Sequence, residues 1–437
     1  MISLIVAIVT CIIMIFLIIE KNSIQIGKRE INTFWMAPLL GAIIILAFNI
    51  LPINKFFENI TANTSINPLK IIVLLMSISM LSITLDELGF FDYLACMVVR
   101  IVKNSQYKLF FILFSLIAVL TVFTSNDIVI LTFTIFICYF AKNAKINPLP
   151  YLIMEFVVAN TFSMIFVIGN PTNIYLASAY NINFLQYLKV MYLPTIFAGI
   201  MTVLMLILLF NNILKKPFEH VDIIIKPLKN KSLTICALIH LFAATVILAI
   251  SNYINVEMWL ISFVSAASLS VILIAYGIKN KDFNYIKSIY RKIPWNLALF
   301  VLSMFVIVLA IDYEGIFAKI SLKLSEFIGD NKLLGIVTFG FTSTIADNLI
   351  NNIPMSLAFS KILFNITSNQ TAYVYATIIG SNIGAFLTPI GALAGIMWMN
   401  ILRRQHVKLT FIRFSEYGLL LTFSILIAAL LGLYLVL

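Results

Sequence analysis

Four polar clusters interrupt the longest apolar stretches of this chain. They are FTSND at 123–127, GNPTN at 169–173, TSTIADNLINNIP at 342–354 and GSNIGAFLTPIG at 380–391. Glycine permits unusual backbone angles and proline cannot continue a helical hydrogen-bond ladder, so Gly169, Pro171 and Thr172 mark one helix break. Thr388, Pro389 and Gly391 mark a second. Broken helices offer free N–H groups and a positive dipole end to an anion. Their unwound carbonyls and the side-chain oxygens of Asn, Ser and Thr can replace the hydration shell of a small solute or cation. Thr124, Ser125 and Asn126 on one side, and Asn351 and Asn352 on the other, complete a two-fold polar cage. Singly, such clusters read as glue between helices; four of them, placed symmetrically, read as a binding site.

Acidic side chains within apolar runs are costly and are functional candidates by default. Asp127 and Asp347 fall at the tips of two hairpins, and Glu155 falls one turn into the first broken helix. Each is a candidate for proton or sodium coupling, or for tuning anion affinity by repulsion. Asp86, Glu87, Asp92, Asp312 and Glu314 fall at helix ends. Cys11, Cys96, Cys138 and Cys236 show no metal or redox spacing, and His220, His240 and His406 lie far apart, so neither a metal nor a cofactor is expected.

Composition dictates what must hold these groups. Of 437 residues, 62% are hydrophobic and 11% charged, and mean hydropathy is +1.06. A water-soluble globule, a disordered chain and a coiled coil are excluded. The runs do not alternate, which excludes a transmembrane barrel. An all-α polytopic membrane protein remains. The net charge of +11 reflects Lys and Arg in the connections, and no nucleic-acid partner is implied. The first run, 2–19, lacks a basic leader and a cleavage site and reads as a retained helix.

Apolar runs fall at 2–19, 34–52, 68–86, 109–141, 149–180, 187–211, 233–251, 257–277, 294–312, 333–361, 371–402 and 415–437. Treating 109–141 and 333–361 as re-entrant hairpins leaves about ten crossings and puts 22 of the 29 Lys and Arg on one side. That side is then cytoplasmic, with both termini outside the cell membrane. Residues 1–211 and 233–437, joined by a cytoplasmic linker at 212–232, repeat one pattern with opposite orientation. SMLSITLDELGFF (79–91) echoes SMFVIVLAIDYEGIF (303–317), and an offset of 222 relates Asn126 to Asn348, Asn160 to Asn382 and Gly169 to Gly391. An inverted-topology repeat with two broken helices is secondary-transporter architecture.

At these motifs the chain resembles the arsenite efflux pump membrane proteins of the ion transporter superfamily. The resemblance is carried by IGSNIGAFLTPIGALAGIMW (379–398), NNIPM (351–355), SND (125–127) and LDELGFFDYLA (85–95). IGNPTN (168–173) is similar to a loop of the superfamily's dicarboxylate/sodium symporters, which lends Asn170 and Asn173 to the candidate set. The resemblance implies a substrate-site role for Ser125, Asn126, Asn170, Thr172, Asn352, Asn382 and Thr388. It also implies hairpins and broken helices moving against a scaffold, a homodimer and, as in some arsenite pumps, a peripheral ATPase subunit. The expectation is a permease that exports a small anionic or neutral oxyanion, arsenite first, using the proton gradient or membrane potential. Sodium-coupled dicarboxylate or citrate uptake and sodium/proton antiport are the alternatives. The second hairpin lacks the symporters' Ser-Asn-Thr tip. An intramembrane enzyme is disfavoured because no DxxxD or GxSx motif flanks Asp127 or Asp347.

Overall fold

Asparagine starts many of the helices. Asn67 Oδ1 accepts from the N–H groups of Leu69 and Lys70, with Pro68 at the first helical position. Asn183, Asn230 and Asn331 cap the same way. Each satisfies a donor that the helix itself leaves free. The computed structural model describes residues 2–20, 23–26, 29–62, 67–102, 105–124, 126–218, 227–251 and 254–437.

In the first half the helices are α1 (Ile2–Glu20), α2 (Met36–Ala47), α3 (Ile53–Thr61), α4 (Pro68–Glu87), α5 (Phe90–Ile101), α6 (Gln106–Phe123), α7 (Asn126–Asn143), α8 (Leu149–Phe162), α9 (Pro171–Ala179) and α10 (Phe184–Leu214). In the second half they are α11 (Lys231–Ala249), α12 (Met258–Asn280), α13 (Asn284–Lys292), α14 (Trp295–Tyr313), α15 (Ile316–Ile328), α16 (Lys332–Ile350), α17 (Asn352–Phe364), α18 (Gln370–Gly384), α19 (Leu393–Arg404) and α20 (Phe411–Val436). One departure from an all-helical chain falls in the connection after α1. There β1 (Ser23–Ile26) pairs antiparallel with β2 (Arg29–Asn32), Ile24 opposite Ile31. Isoleucine at alternate positions favours strand over helix in so short a segment.

Nine helical stretches among the described residues are long and apolar enough to cross a membrane. Three of them, α6, α7 and α16, are hairpin arms. Conversely, two crossings are split into α8 plus α9 and α18 plus α19, whose halves are each too short to qualify. The shorter apolar helices α1 and α2 add two more, so about ten crossings result, with α6–α7 and α16–α17 as hairpins.

Two faces are fixed by contacts between connections. At one, Lys229 N–H donates to Leu88 O, Gln106 Nε2 donates to Lys216 O, and Lys292 Nζ lies 3.0 Å from Asp86 and 2.8 Å from Glu87. This is the basic face. At the other, Lys70 Nζ lies 2.6 Å from Glu257, and Lys361 Nζ 3.0 Å from Asp312. The Lys70 ammonium and the Trp259 indole hold the Glu257 carboxyl below the usual carboxylate range.

The repeat is visible in the packing partners. α4 packs on α12 while its counterpart α14 packs on α2, and α9 packs on α17 while α19 packs on α7. The equivalent helices α10 and α20 pack along each other antiparallel. Gly432 meets Pro194, and the Tyr417 ring lies 5.5 Å from Phe210. Equivalent helices that run antiparallel across their shared contact require a two-fold axis perpendicular to them. That is the inverted arrangement.

The offset between the halves is not constant, which corrects one relation read from the sequence. Gly89 (φ +81°) and Gly315 (φ +70°) sit at equivalent turns after α4 and α14, an offset of 226. α6 and α7 begin 226 residues before α16 and α17, so Asn126 matches Asn352, not Asn348. α17 has 13 residues where α7 has 18, and this shortening brings the offset near 222 at the broken helices. There Asn160 does match Asn382, and Gly169 does match Gly391.

Candidate functional site

The first break is built by its own residues. α8 ends at Phe162, the chain bends and makes a single 3-10 turn at Val167–Gly169, and Asn170 caps α9. Asn170 Oδ1 accepts from the N–H and the hydroxyl of Thr172, at 3.2 and 3.1 Å. Pro171 occupies the first helical position, where no N–H is needed. A Cβ at Gly169 would collide with the Ser163 carbonyl oxygen. Gly169→Ala is therefore expected to cost about 1–3 kcal/mol by overpacking. It should lower the unfolding midpoint in detergent and stop transport; an unchanged midpoint would show that the break tolerates a side chain.

A residue of the other repeat locks this break. Asn382 Oδ1 accepts from Ser163 Oγ (2.9 Å) and Asn170 Nδ2 (3.0 Å), and its Nδ2 donates to Asn173 Oδ1 (2.6 Å) and Ile378 O (2.8 Å). Every hydrogen-bonding position of the amide is used, in a fully buried setting. Asn173 Nδ2 continues to Ser163 O at 2.9 Å. From the first hairpin, Asn126 Nδ2 donates to Asn160 Oδ1 at 3.1 Å. Asn126 Oδ1 has no partner among the described residues. Asn126 is thus the member of this network with an oxygen to spare.

The second break is organised differently. Asn348, on α16, accepts from Thr388 N–H (3.0 Å) and Thr388 Oγ1 (2.6 Å), and donates to Thr344 O and Gly384 O. A Cβ at Gly391 would lie 2.7 Å from Gly384 O. Asn351 Nδ2 reaches Ile390 O at 3.0 Å. Asn351 holds φ 72°, ψ 155°, a conformation rarely taken by L side chains and characteristic of functional loops. Pro389 and Asn352 are buried.

The structure gathers the candidates into two unlike clusters rather than one symmetric cage. Asn126, Gly169, Asn170, Pro171, Thr172, Asn173 and Asn382 belong to the first, and Asn351, Thr388, Pro389 and Gly391 to the second. Asymmetry follows from sequence: where the first break carries Asn-Pro-Thr-Asn, the second carries Ala392, Leu393, Ala394 and Gly395. Thr124 is turned away, its hydroxyl donating to Leu120 O. Ser125 lies outside the described residues. Among residues not singled out from sequence, Ser163 and Asn348 are the joints of the two clusters. The polar run around Asn348 signalled it; nothing signalled Ser163.

The acids also separate. Asp127 is in the first turn of α7, at a tip as expected. Asp347 lies one turn before its tip, fully buried on α16, and is not the repeat equivalent of Asp127, whose match is Ile353. Glu155 is nearer the middle of α8 than its first turn, fully buried, and accepts from Thr134 Oγ1 at 3.1 and 3.2 Å.

A cavity of about 510 Å³ runs from the basic face between α4 and α14 on one wall and α7, α9 and α19 on the other. Asp86, Lys229 and Lys292 stand at its mouth, and Asp127, Ile168 and Pro171 line it at the hairpin tip and first break. A smaller space of about 200 Å³ occupies the related place on the opposite face, between Lys70, Glu257 and the α9–α10 connection. The two spaces are unequal, the larger lying on the basic face.

Comparison with known proteins agrees with this geometry. The arsenical pump membrane protein of Escherichia coli is 25% identical over 406 residues, 91% of this chain and 92% of that one. The putative arsenical pump membrane protein of Bacillus subtilis is 24% identical over 361 residues, 76% and 80% of the two chains. The Alcanivorax borkumensis YdaH transporter, whose crystal structure is titled as revealing an unusual topology, superposes with TM-score 0.55 at 13% identity, over 99% of this chain and 97% of that one. The chain is thus a multi-pass membrane transporter related to the arsenical pump membrane proteins. Residues 13–377 match the model of the CitMHS citrate transporter family, and to that family the chain belongs.

Proposed function

We propose that this protein is a secondary permease of the cell membrane that exports a small inorganic oxyanion, with arsenite as the first substrate. It works by alternating access, is driven by the proton gradient or the membrane potential, and forms no covalent intermediate. The basic face is the cytoplasmic one, so the conformation is inward-open. The observation that carries the reading is the cavity ending at Asp127 and Pro171, against a break held by residues of both repeats. Arsenite is mostly neutral As(OH)3 at neutral pH. Its hydroxyls can donate to the Asp127 carboxylate at the end of the cavity, and no charge has to be neutralised. The names of the arsenical pump relatives support the same substrate.

The family's description favours a second reading, citrate uptake. Against it stands the charge of the cavity: its lysines, Lys229 and Lys292, sit at the mouth beside Glu87 and Asp86, and its deepest ionisable lining residue is Asp127. A tricarboxylate would meet a like charge there. Flux in proteoliposomes decides between them. Arsenite is expected to move under a proton gradient or voltage without sodium. Sodium-dependent movement of citrate or succinate, with arsenite immobile, would replace this reading by the second.

A further inference from the structure

The fully buried Asp347 is the most exceptional ionisable group in the molecule. Neither of its carboxylate oxygens has a hydrogen-bond partner among the described residues. Helix α18 presses against it: Gly380 and Gly384 leave room for α16 to approach, so that a Cβ on Gly384 would lie 3.0 Å from Asp347 Oδ2. α16 and α18 run parallel here, Ser343 beside Gly380 and Asp347 beside Gly384. Both helices end within a turn of this level, so the negative ends of two helix dipoles surround the carboxyl. No cation among the described residues compensates. α18 carries no charged side chain, and Lys361 of α17 lies near the far end of that helix, paired with Asp312. On α15, Lys319, Lys323 and Glu326 are exposed, as are Arg413 and Glu416 on α20, where the Tyr417 ring packs on Phe210.

We propose that Asp347 is a proton-binding site, the group that carries the coupling ion, separate from the solute cavity where Asp127 stands. A charged carboxylate without cation or donor is expensive in such surroundings, whereas the acid form needs no further ligand. A metal ion would need several oxygens, and those of Ser343, Thr344 and Asn348 are engaged. Thr344 Oγ1 donates to Gly340 O and Gly380 O, Ser343 Oγ to Phe339 O, and Asn348 Oδ1 accepts twice from Thr388. Among the described residues no group of three or more His, Cys, Asp or Glu is placed to hold a metal. The other two candidate acids are differently placed: Glu155 is hydrogen-bonded by Thr134, and Asp127 lines the cavity. The assignment deepens the export reading by naming its coupling residue, while the binding of the proton itself does not depend on which solute moves.

Two measurements on the full-length protein in liposomes test it. The infrared spectrum at neutral pH, without any solute, should contain a protonated carboxylic acid band that Asp347→Asn removes and Asp127→Asn leaves. An unchanged band in Asp347→Asn overturns the proposal. In flux, Asp347→Asn should retain arsenite exchange at equal pH within about twofold while losing at least tenfold of the accumulation driven by a pH gradient. Accumulation at the wild-type level in that variant, or wild-type flux driven by sodium and indifferent to a pH gradient, also overturns it. If the wild-type protein moves no arsenite, the export reading fails while the infrared result still decides the site. The unfolding midpoint, expected unchanged for so isosteric a replacement, separates lost coupling from lost fold.

Discussion

Asn382→Ala is expected to abolish flux and to lower the unfolding midpoint in detergent, whereas Asn126→Ala should abolish flux with the midpoint almost unchanged. The contrast follows from what each amide leaves behind. Removing Asn382 orphans the Asn170 amide and the Asn173 carbonyl, both fully buried, and deletes the tie between α18 and the first break. Two unsatisfied buried groups cost about 2–5 kcal/mol together. Asn126 makes one hydrogen bond of 3.1 Å; its loss orphans the buried Asn160 Oδ1 but also removes its own unpartnered oxygen, so the net cost is about 1 kcal/mol. The measurement is a pair of thermal midpoints beside a pair of arsenite fluxes. A wild-type midpoint for Asn382→Ala would show that the network does not hold the break, and normal flux in both variants would remove tip and break from the solute path.

Lys361→Met is expected to shift the molecule toward the form that opens on the face of Lys70 and Glu257. Lys361 of the second hairpin pairs with Asp312 of α14 at 3.0 Å and so fastens the hairpin to the neighbouring helix group on the face away from the cavity. The repeat shows what that fastening replaces. Asp312 matches Asp86, and Lys361 matches Ile135, which lines the open cavity. At the basic face, among the described residues, Asp86 holds the first hairpin only through the Thr132 hydroxyl, at 2.9 Å, and is otherwise paired with Lys292. The ion pair thus has no equivalent at the basic face and favours the form whose larger cavity lies there. The two side chains are 22% and 31% exposed, so the pair is worth about 1 kcal/mol, or about fivefold in population. Single cysteines at Ser178, beside the smaller space, and at Ile401, in the larger cavity, report the shift. Labelling of the first should rise and of the second fall by about that factor. Equal labelling of both with and without Lys361→Met would show that the pair carries no conformational bias.

Much of the architecture was legible from residue order because a membrane leaves a chain few choices. Apolar length set the crossings, Lys and Arg set a consistent sidedness, and polar clusters such as GNPTN and GSNIGAFLTPIG marked where helices had to break, since only Gly, Pro and short polar residues tolerate that backbone. The inverted repeat was legible too, though a single offset of 222 mismatched the hairpins. α17 is five residues shorter than α7, and identity alone cannot locate a gap when asparagine is so frequent.

What residue order could not convey is which of many asparagines touch. Asn382 bonds across to Ser163, Asn170 and Asn173, while Asn348, not its expected counterpart Asn126, joins Thr388. The Asn382 pairings depend on helices more than 200 residues apart meeting in one register. The same holds for the acids. Asp127 and Asp347 look alike in sequence, each beside an Asn near a hairpin tip. Close approach at Gly384 seals one, and the gap between α7 and α4 exposes the other. Local chemistry thus named the groups. Long-range packing, through the few ångströms that glycine allows or a larger side chain denies, assigned each of them to solvent, solute or interior.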